Sequence, residues 1–290
     1  QNVVQFFNVG EHNIIRLENA DWNDGFDMAP ERGESVAFSF MYAHNLRDIC
    51  SILEKLKKKR KSVKLLKEFL LLLDSLNTSV DYDNYKEKQG RLDEYLKAVR
   101  NISGRAVEVE IDGIIKDLRK KSDHLSAWLR EKEWLPGAGF FNGYYDNKGR
   151  RVEGRIAGRV RMLLQSQVFA IMSGCATDVQ VRKTWQSIKK YLKDPKLGGF
   201  RLGTDFKTVY MDLGRAFGFA YGDKENGAFF NHMNVMLANA LYKRGFVKEG
   251  REVFDSIYKM STSDAARIYP MIPEYFNNEG RGMYHYLTGS

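Results

Sequence analysis

The stretch 36–53, VAFSFMYAHNLRDICSIL, has the pattern on which the architecture of this chain rests. Its apolar residues recur at intervals of three and four, which places them on one face of an α-helix, as with Val36, Phe40, Ala43 and Leu46. The same periodicity predicts further helices over 161–173, 178–192, 232–243 and 247–260. Glycine-rich loops separate these helices, so we predict an all-α fold, a barrel of helical hairpins whose functional loops gather at one end.

Two regions depart from this alternation. Residues 54–133 are lysine-rich and leucine-containing, and they predict an insertion of long helices within a domain that spans 1–290. Residues 135–158 are rich in glycine, aromatic and turn residues and do not fit a regular helix. The aromatic pairs there, at 140–141 and 144–145, are expected to pack the loop against the core, and the lining of sugar subsites is the less favoured interpretation.

The composition is that of a globular protein with a basic surface. Lys and Arg number 46 against 37 Asp and Glu, which gives a net charge of +9. Much of the excess lies at 55–67 and 116–121, on helix-like segments, so a solvated helix face explains it better than nucleic acid, for which no motif is present. No apolar run is long enough to cross a membrane, and the first residues lack the features of a signal peptide.

The cysteines and several histidines do not suggest a metal site. Cys50 and Cys175 lie on apparent apolar helix stretches without metal-ligand spacing, so we expect buried free thiols and a cytoplasmic protein. His12, His44 and His124 have no spacing that recommends a metal either. We therefore predict no metal and no cofactor.

The segment 20–25, ADWNDG, combines an indole with two acids. Glycoside cleavage needs a carboxylic acid that keeps its proton beside a sugar near neutral pH. Asp21 and Asp24 flank Trp22, whose indole offers a pyranose a stacking surface and helps to desolvate a neighbouring carboxyl. Asn23 adds a hydrogen-bonding amide. The alternative is a turn that caps the first long helix, since Asp, Asn and Gly all favour turns, but an ordinary turn has no need of the indole.

A second group of residues is GDKENG at 222–227, followed by His232 at a predicted helix start. A lysine and an imidazole beside the free amides of a helix N-terminus suit an anion such as phosphate. From these residues alone, surface charges at Lys224 and Glu225 and a structural His232 are the favoured interpretation.

The third group is NNEGRGMYHYLTGS at 277–290. The backbone amides of Thr288 and Gly289, with the threonine hydroxyl, suit a concave nest of donors for phosphate oxygens, and a plain loop is the alternative. The segment lacks the Gly-Lys-Ser/Thr signature, so nucleotide binding is not indicated.

Together these segments resemble glycoside hydrolase family 94, the cellobiose and chitobiose phosphorylase group, and the related oligo-β-glucan phosphorylases. The shared segments also follow the order they have in that family. They are GEH at 10–12, DWNDG at 21–25, GESV at 33–36, QVFAIMSG at 167–174, KENG at 224–227 with His232, and RGMY at 281–284 leading to TGS at 288–290.

The resemblance implies an incomplete (α/α)6 barrel and an inverting phosphorylase of β-linked gluco-oligosaccharides. Asp24 is the expected general acid, with Asp21 in support, and inorganic phosphate is the co-substrate and nucleophile. The remaining site residues are divided between the two substrates. Those expected to bind the sugar are Trp22, Asn23, Lys224 and Glu225, and those expected to hold phosphate are His232, Thr288 and Gly289.

The same resemblance sets the expected partners, which are a β-glucan oligosaccharide and phosphate, and it leaves open a homodimer of the full-length protein. The family's barrel begins upstream of the Trp-Asn-Asp motif and follows a β-sandwich. We therefore expect the chain to be the C-terminal part of a catalytic domain, inactive alone. The insertion at 54–133 is longer than expected for a cellobiose phosphorylase and points toward an oligoglucan-acting relative.

Two other functions stay open at this point. An inverting hydrolase on the same barrel would need a second carboxylate to activate water, and Glu225 is the candidate. A catalytically silent carbohydrate-binding protein needs neither acid nor phosphate.

Overall fold

The computed structural model describes residues 1–268 and 271–283. Within them, α-helices carry the fold, and the strands are short. The helices are α1 (Asn2–Phe7), α2 (Val36–Lys57), α3 (Tyr85–Ala98), α4 (Ile111–Lys132), α5 (Leu164–Met172), α6 (Asp178–Tyr191), α7 (Asn231–Lys243) and α8 (Val247–Ser261). The strands are β1 (Glu34–Ser35), β2 (Ser62–Leu66), β3 (Ala106–Glu110), β4 (Trp134–Leu135), β5 (Phe140–Phe141), β6 (Tyr144–Tyr145), β7 (Gly154–Ile156), β8 (Arg159–Arg161), β9 (Phe229–Phe230), β10 (Tyr275–Phe276) and β11 (Gly282–Met283).

The helices form an arc of three hairpins. An inner row consists of α2, α5 and α7, in which α5 packs against both of the others. An outer row consists of α4, α6 and α8, which pack on α2, α5 and α7 respectively. This arrangement confirms the prediction of an all-α fold built as part of a barrel of helical hairpins.

The first turns of the three inner helices lie at one end of the arc. At α2, the Val36 amide donates to the Gly143 carbonyl over 2.9 Å. At α5, the Leu164 amide donates to the Leu202 carbonyl over 2.8 Å, and the Leu202 amide donates in turn to Ala228, just ahead of α7. The loops that precede these helices therefore gather at the same end.

Local sequence explains why α2 begins and ends where it does. The Ser35 hydroxyl accepts a hydrogen bond from the Phe38 amide and caps the helix, and Phe40, Ala43 and Leu46 are completely buried along one face. The helix runs to Lys57, beyond the predicted end at residue 53. The other four predicted helices agree with α5 to α8 to within three residues at each end.

The expectation for residues 54–133 is wrong in part. Helices α3 and α4 lie in this region, but β2 and β3 pair as an antiparallel hairpin, with Val63 opposite Val109 and Leu65 opposite Val107. The signal was present in the sequence, because AVEVE at 106–110 alternates apolar and acidic residues with the period of a strand. Four lysines of the basic segment 55–67 therefore lie in the connection after α2 and on β2, and not on an α-helix face: Lys58, Lys59, Lys61 and Lys64.

The interpretation of 116–121 as a solvated face is wrong for Lys121. Its side chain is fully buried, and its ammonium donates to Asp74 over 2.7 Å and to Asp117 over 2.5 Å. The partner Asp74 lies on a short 3-10 helix far from Lys121 in the chain. Periodicity within one helix does not reveal such a distant partner. For this reason the sequence alone predicted that the Lys121 side chain is exposed to solvent.

The aromatic pairs at 140–141 and 144–145 are buried in the core, as expected. Cys50 and Cys175 are free and buried, although Cys175 lies in the connection between α5 and α6 instead of within a helix. In the described part of the chain, no helix is long and apolar enough to cross a membrane.

Candidate active site

The loop 20–25 is held by two successive turns in which a side chain caps the backbone. The Asn23 amide donates to Asp21 Oδ1 over 2.9 Å, and the Gly25 amide donates to Asn23 Oδ1 over 3.0 Å. Asn23 is buried, its Oδ1 serves the loop, and within the described residues its Nδ2 has no hydrogen-bond partner. Asp and Asn favour such turns because their short side chains reach the backbone two residues on. The loop thus has a defined shape before any ligand binds.

The carboxyl group of Asp21 faces inward and Asp24 faces outward. Ser35, the residue that caps α2, donates its hydroxyl to Asp21 Oδ2 over 2.5 Å. Burial raises the pKa of Asp21 to about 6, against the opposing effect of hydrogen bonds from Ser35 and the Asn23 amide. Asp24 is exposed. The acid that the fold desolvates is therefore Asp21, while Asp24 is open to solvent.

Trp22 brings the loop against the start of α7. Its ring is half-buried and meets Phe230 edge to face at 5.3 Å between centroids. The His232 ring lies 5.8 Å from the same indole. His232 is exposed and is the second residue of α7, so its imidazole stands beside the helix N-terminus. The structure therefore brings together two of the sequence-predicted groups that are far apart in the chain.

The turn 222–227 is connected to Trp22 through a chain of aromatic contacts, called here the aromatic ladder, which consists of Tyr275 and Phe230. The Gly222 amide donates to the Asn226 carbonyl over 2.7 Å, which closes the turn. Glu225 accepts a hydrogen bond of 3.1 Å from the Tyr275 hydroxyl, and the Tyr275 ring lies 4.5 Å from Phe230, which contacts Trp22. This ladder links Glu225 to the indole.

Lys224 contacts an aromatic ring, and the predicted residues of the C-terminal segment are not described by the structure. The Lys224 ammonium lies 5.0 Å from the centre of the Phe219 ring, and its backbone has a φ of 45°, in the left-handed region. Thr288 and Gly289 lie outside the described residues. Of the three residues predicted to hold phosphate, the structure therefore describes His232 alone.

Four residues shape this region without having been predicted as part of the site. Phe230 and Tyr275 form the contacts between Glu225 and Trp22. In the sequence, only their position beside predicted loops could have indicated this role. Tyr144 and Gln165 are fully buried, and the Tyr144 hydroxyl lies between the Asp21 carboxylate and the Gln165 side chain. The charge of Asp21, after burial, raises the pKa of Tyr144. No local pattern marks a buried tyrosine as the neighbour of an acid.

The arrangement combines the parts that sugar chemistry needs. A half-buried indole offers a stacking surface, an exposed carboxylic acid lies two residues away in the same loop, and an imidazole at a helix start meets the indole edge to face. A second carboxylate, Glu225, is held by a tyrosine hydroxyl on the far side of the ladder.

Sequence comparison links the chain to one family. The model of the Glycosyl hydrolase 94 superfamily, catalytic domain, matches residues 95–289, a range that contains Lys224, Glu225 and His232. The loop 20–25 precedes that range. It lies within the similarity to N,N'-diacetylchitobiose phosphorylase of Vibrio proteolyticus, which is 22% identical over 97% of this chain.

Another relative is the cellobionic acid phosphorylase of Neurospora crassa, 29% identical over 46% of this chain. The alignments span 29% of the chitobiose enzyme and 16% of the cellobionic acid enzyme, so the chain corresponds to a minor part of each. Among solved structures, the GH63 mannosylglycerate hydrolase from Thermus thermophilus has a TM-score of 0.45 at 13% identity, covering 87% of this chain and 44% of that one.

Proposed function

This chain belongs to the glycosyl hydrolase 94 superfamily, and we propose that it is part of an inverting phosphorylase of β-linked gluco-oligosaccharides. The observation that carries the proposal is the contact of Trp22 with His232, because it sets a sugar-stacking surface beside a helix N-terminus, which favours an anion. A general acid next to a phosphate pocket is what phosphorolysis requires, while a hydrolase has no need of the pocket.

In the proposed reaction, Asp24 donates its proton to the glycosidic oxygen as the bond to the anomeric carbon breaks. Inorganic phosphate attacks that carbon from the opposite face, so a β-linkage yields α-glucose 1-phosphate and a shortened oligosaccharide. The nucleophile is the phosphate itself, and therefore no carboxylate is needed to activate water. In the reverse direction the protein acts as a hexosyltransferase.

The proposed binding roles rest on the resemblance to family 94. Trp22 stacks on the sugar whose linkage is cleaved, and Lys224 and Glu225 hydrogen-bond its hydroxyls. Asn23 supports this subsite through its bond to the Gly25 amide, since its own side chain is buried. His232, with Thr288 and Gly289, holds phosphate. We further propose that no cofactor is required, that the protein is cytoplasmic, and that the full-length form is a homodimer.

Phosphate dependence tests the reaction class. With the complete gene product and a panel of β-1,2-, β-1,3- and β-1,4-linked gluco-oligosaccharides, we expect one linkage to be consumed at a rate that rises and saturates with phosphate, with release of α-glucose 1-phosphate. Consumption that is indifferent to phosphate and gives free glucose would instead identify the hydrolase, with Glu225 activating water. Binding of an oligosaccharide without turnover would identify the silent carbohydrate-binding protein.

His232→Asn tests the phosphate site. Loss of a hydrogen bond to the charged phosphate removes about 1.5–3 kcal/mol, so the KM for phosphate should rise roughly 10- to 100-fold, while the KM for the oligosaccharide changes little. The control is Lys243→Gln, which removes an exposed positive charge at the other end of the same helix and should leave both KM values unchanged. An unchanged phosphate KM in His232→Asn would remove this residue from the site.

A further inference from the structure

We propose that Ser35 and Asp21 are positioning residues for Asp24: the hydroxyl that caps α2 holds the Asp21 carboxylate, and Asp21 in turn fixes the loop that carries the acid. The inference deepens the proposed function and rests on it. It assigns a task to two side chains that take no direct part in the proposed proton transfer.

The direction of the hydrogen bonds at Ser35 supports the first link. The Ser35 hydroxyl accepts from the Phe38 amide over 2.9 Å as the cap of α2. Its single hydrogen is then directed to Asp21 Oδ2, at 2.5 Å. One side chain therefore connects the N-terminus of an inner helix to the carboxylate.

The anchor itself is rigid. The Ser35 amide donates to the Ile15 carbonyl over 2.8 Å, and Ser35 pairs with Tyr144 across the β1–β6 ladder. The Ser39 hydroxyl donates to the Ser35 carbonyl over 2.8 Å. Because Ser35 is held from three sides, its hydroxyl is a fixed reference point for the loop.

The second link runs from Asp21 to Asp24. Asp21 Oδ1 accepts from the Asn23 amide, and Asn23 Oδ1 accepts from the Gly25 amide, so two turns bracket Asp24. In the part of the chain that the structure describes, the Asp24 carboxylate forms no hydrogen bond or ion pair of its own. Its position is therefore set by the backbone of the loop, which Asp21 holds. A displacement of about 1 Å in a reacting group costs on the order of 100-fold in rate.

The positioning of Asp24 through Asp21 should depend on pH, and the groups around Asp21 determine the direction of the change. Burial raises the pKa of Asp21 to about 6, so the carboxylate is present above pH 6 and is lost as the pH falls through that value. Tyr144 on β6 faces it, and behind Tyr144 lies Glu153, whose pKa burial raises to about 8, so that it is uncharged near pH 6. Glu34, next to Ser35, is paired with His12. Protonation of Asp21 should loosen the loop, and activity should fall below pH 6.

The experiment compares pH profiles of kcat/KM, at saturating phosphate, for variants of the complete gene product. Asp21→Asn should lower kcat roughly 10- to 100-fold, keep the phosphate KM within about twofold, and abolish the acidic limb near pH 6. Ser35→Ala removes a donor to the carboxylate, so it should move the limb to higher pH, and Ser35→Thr, which keeps the hydroxyl, should restore it.

A matched control separates this role from plain helix capping. Thr177 caps α6 through the Gln180 amide in the same way, but it has no link to the loop 20–25. Thr177→Ala should lower the melting temperature about as much as Ser35→Ala does and leave the acidic limb in place. His232→Asn should also retain the limb. A limb that does not move in Ser35→Ala, or that survives in Asp21→Asn, would overturn the inference.

A readout without turnover distinguishes this inference from the proposed function. Trp22 lies next to Asp21, and subtraction of the Trp22→Phe signal isolates its fluorescence from that of the other three tryptophans. We expect its pH titration to have a midpoint near 6 that rises in Ser35→Ala. A midpoint that shifts in a protein without phosphate-dependent turnover would support the positioning link while refuting the reaction. A phosphorylase in which it does not shift would refute the link alone.

Discussion

Replacement of Asp24 by Asn should lower the kcat of phosphorolysis roughly 100- to 10,000-fold, the usual contribution of a general acid. The amide has the same shape as the carboxylic acid but does not release a proton to the departing oxygen. Asp24 is exposed, and the described residues hold it by no side-chain bond, so the variant should fold with an unchanged melting temperature. The measurement is kcat at saturating phosphate and oligosaccharide, together with thermal unfolding.

Two comparisons make the Asp24 result specific. Asp27 lies two residues beyond this loop, and Asp27→Asn loses an exposed ion pair with Arg215 that is worth at most about 1 kcal/mol, so this variant should retain near-normal activity. β-Glucosyl fluoride, whose fluoride departs without a proton, should restore turnover to Asp24→Asn. Phosphorolysis of an unactivated oligosaccharide at the normal rate by Asp24→Asn would refute its role as the acid.

Lys121→Met should cost about 3–5 kcal/mol in the free energy of unfolding, because it leaves two buried carboxylates without their cation. Lys121, Asp74 and Asp117 have fully buried side chains. Burial raises the pKa of Asp74, but Lys121 and the hydrogen bonds to the carboxylate together lower it below its usual value. This stabilisation is therefore present at neutral pH and is lost as the pH falls through the pKa of Asp74 in the folded protein.

The control for Lys121 is its neighbour on α4. Lys120 is exposed and donates to the Ser79 hydroxyl, so Lys120→Met should change the free energy of unfolding by no more than about 0.5 kcal/mol. Adding Asp74→Asn and Asp117→Asn to Lys121→Met should recover part of the loss, since the uncompensated charges are then gone. Urea unfolding of these variants beside the unaltered protein tests this, and equal losses for Lys120→Met and Lys121→Met would contradict it.

This buried cluster also connects the region 54–133 to the loops that lead into the site. The Tyr82 hydroxyl donates to Asp74, and the Tyr82 carbonyl accepts from the Asn13 side chain over 2.9 Å. Lys88, fully buried, donates to the same Asn13 over 2.8 Å. The region predicted as an insertion therefore supports residues 8–15, which hydrogen-bond to β1 at Ser35, and any loss of the cluster should also weaken the active-site end.

Local sequence was enough to predict most of the helices and the residue types of the candidate site. Helix periodicity and end signals are local, so the bounds of α5 to α8 could be predicted closely, as in α7, whose end before Gly245 matches the glycine's left-handed backbone. The types of residue in ADWNDG and GDKENG, with their order along the chain, were sufficient to indicate the family that the comparisons then supported.

The tertiary structure decides which of these residues are in contact and which of them are buried. The contact of Trp22 with His232, the burial of Lys121 against Asp74, and the choice of Asp21 over Asp24 as the desolvated acid all depend on partners distant in the chain. A charge or a ring is stabilised by whatever group the fold places against it, and neither spacing nor composition identifies that group. For this reason Ser35, read in the sequence as part of a family motif, emerges in the structure as the link between a helix and the acid loop.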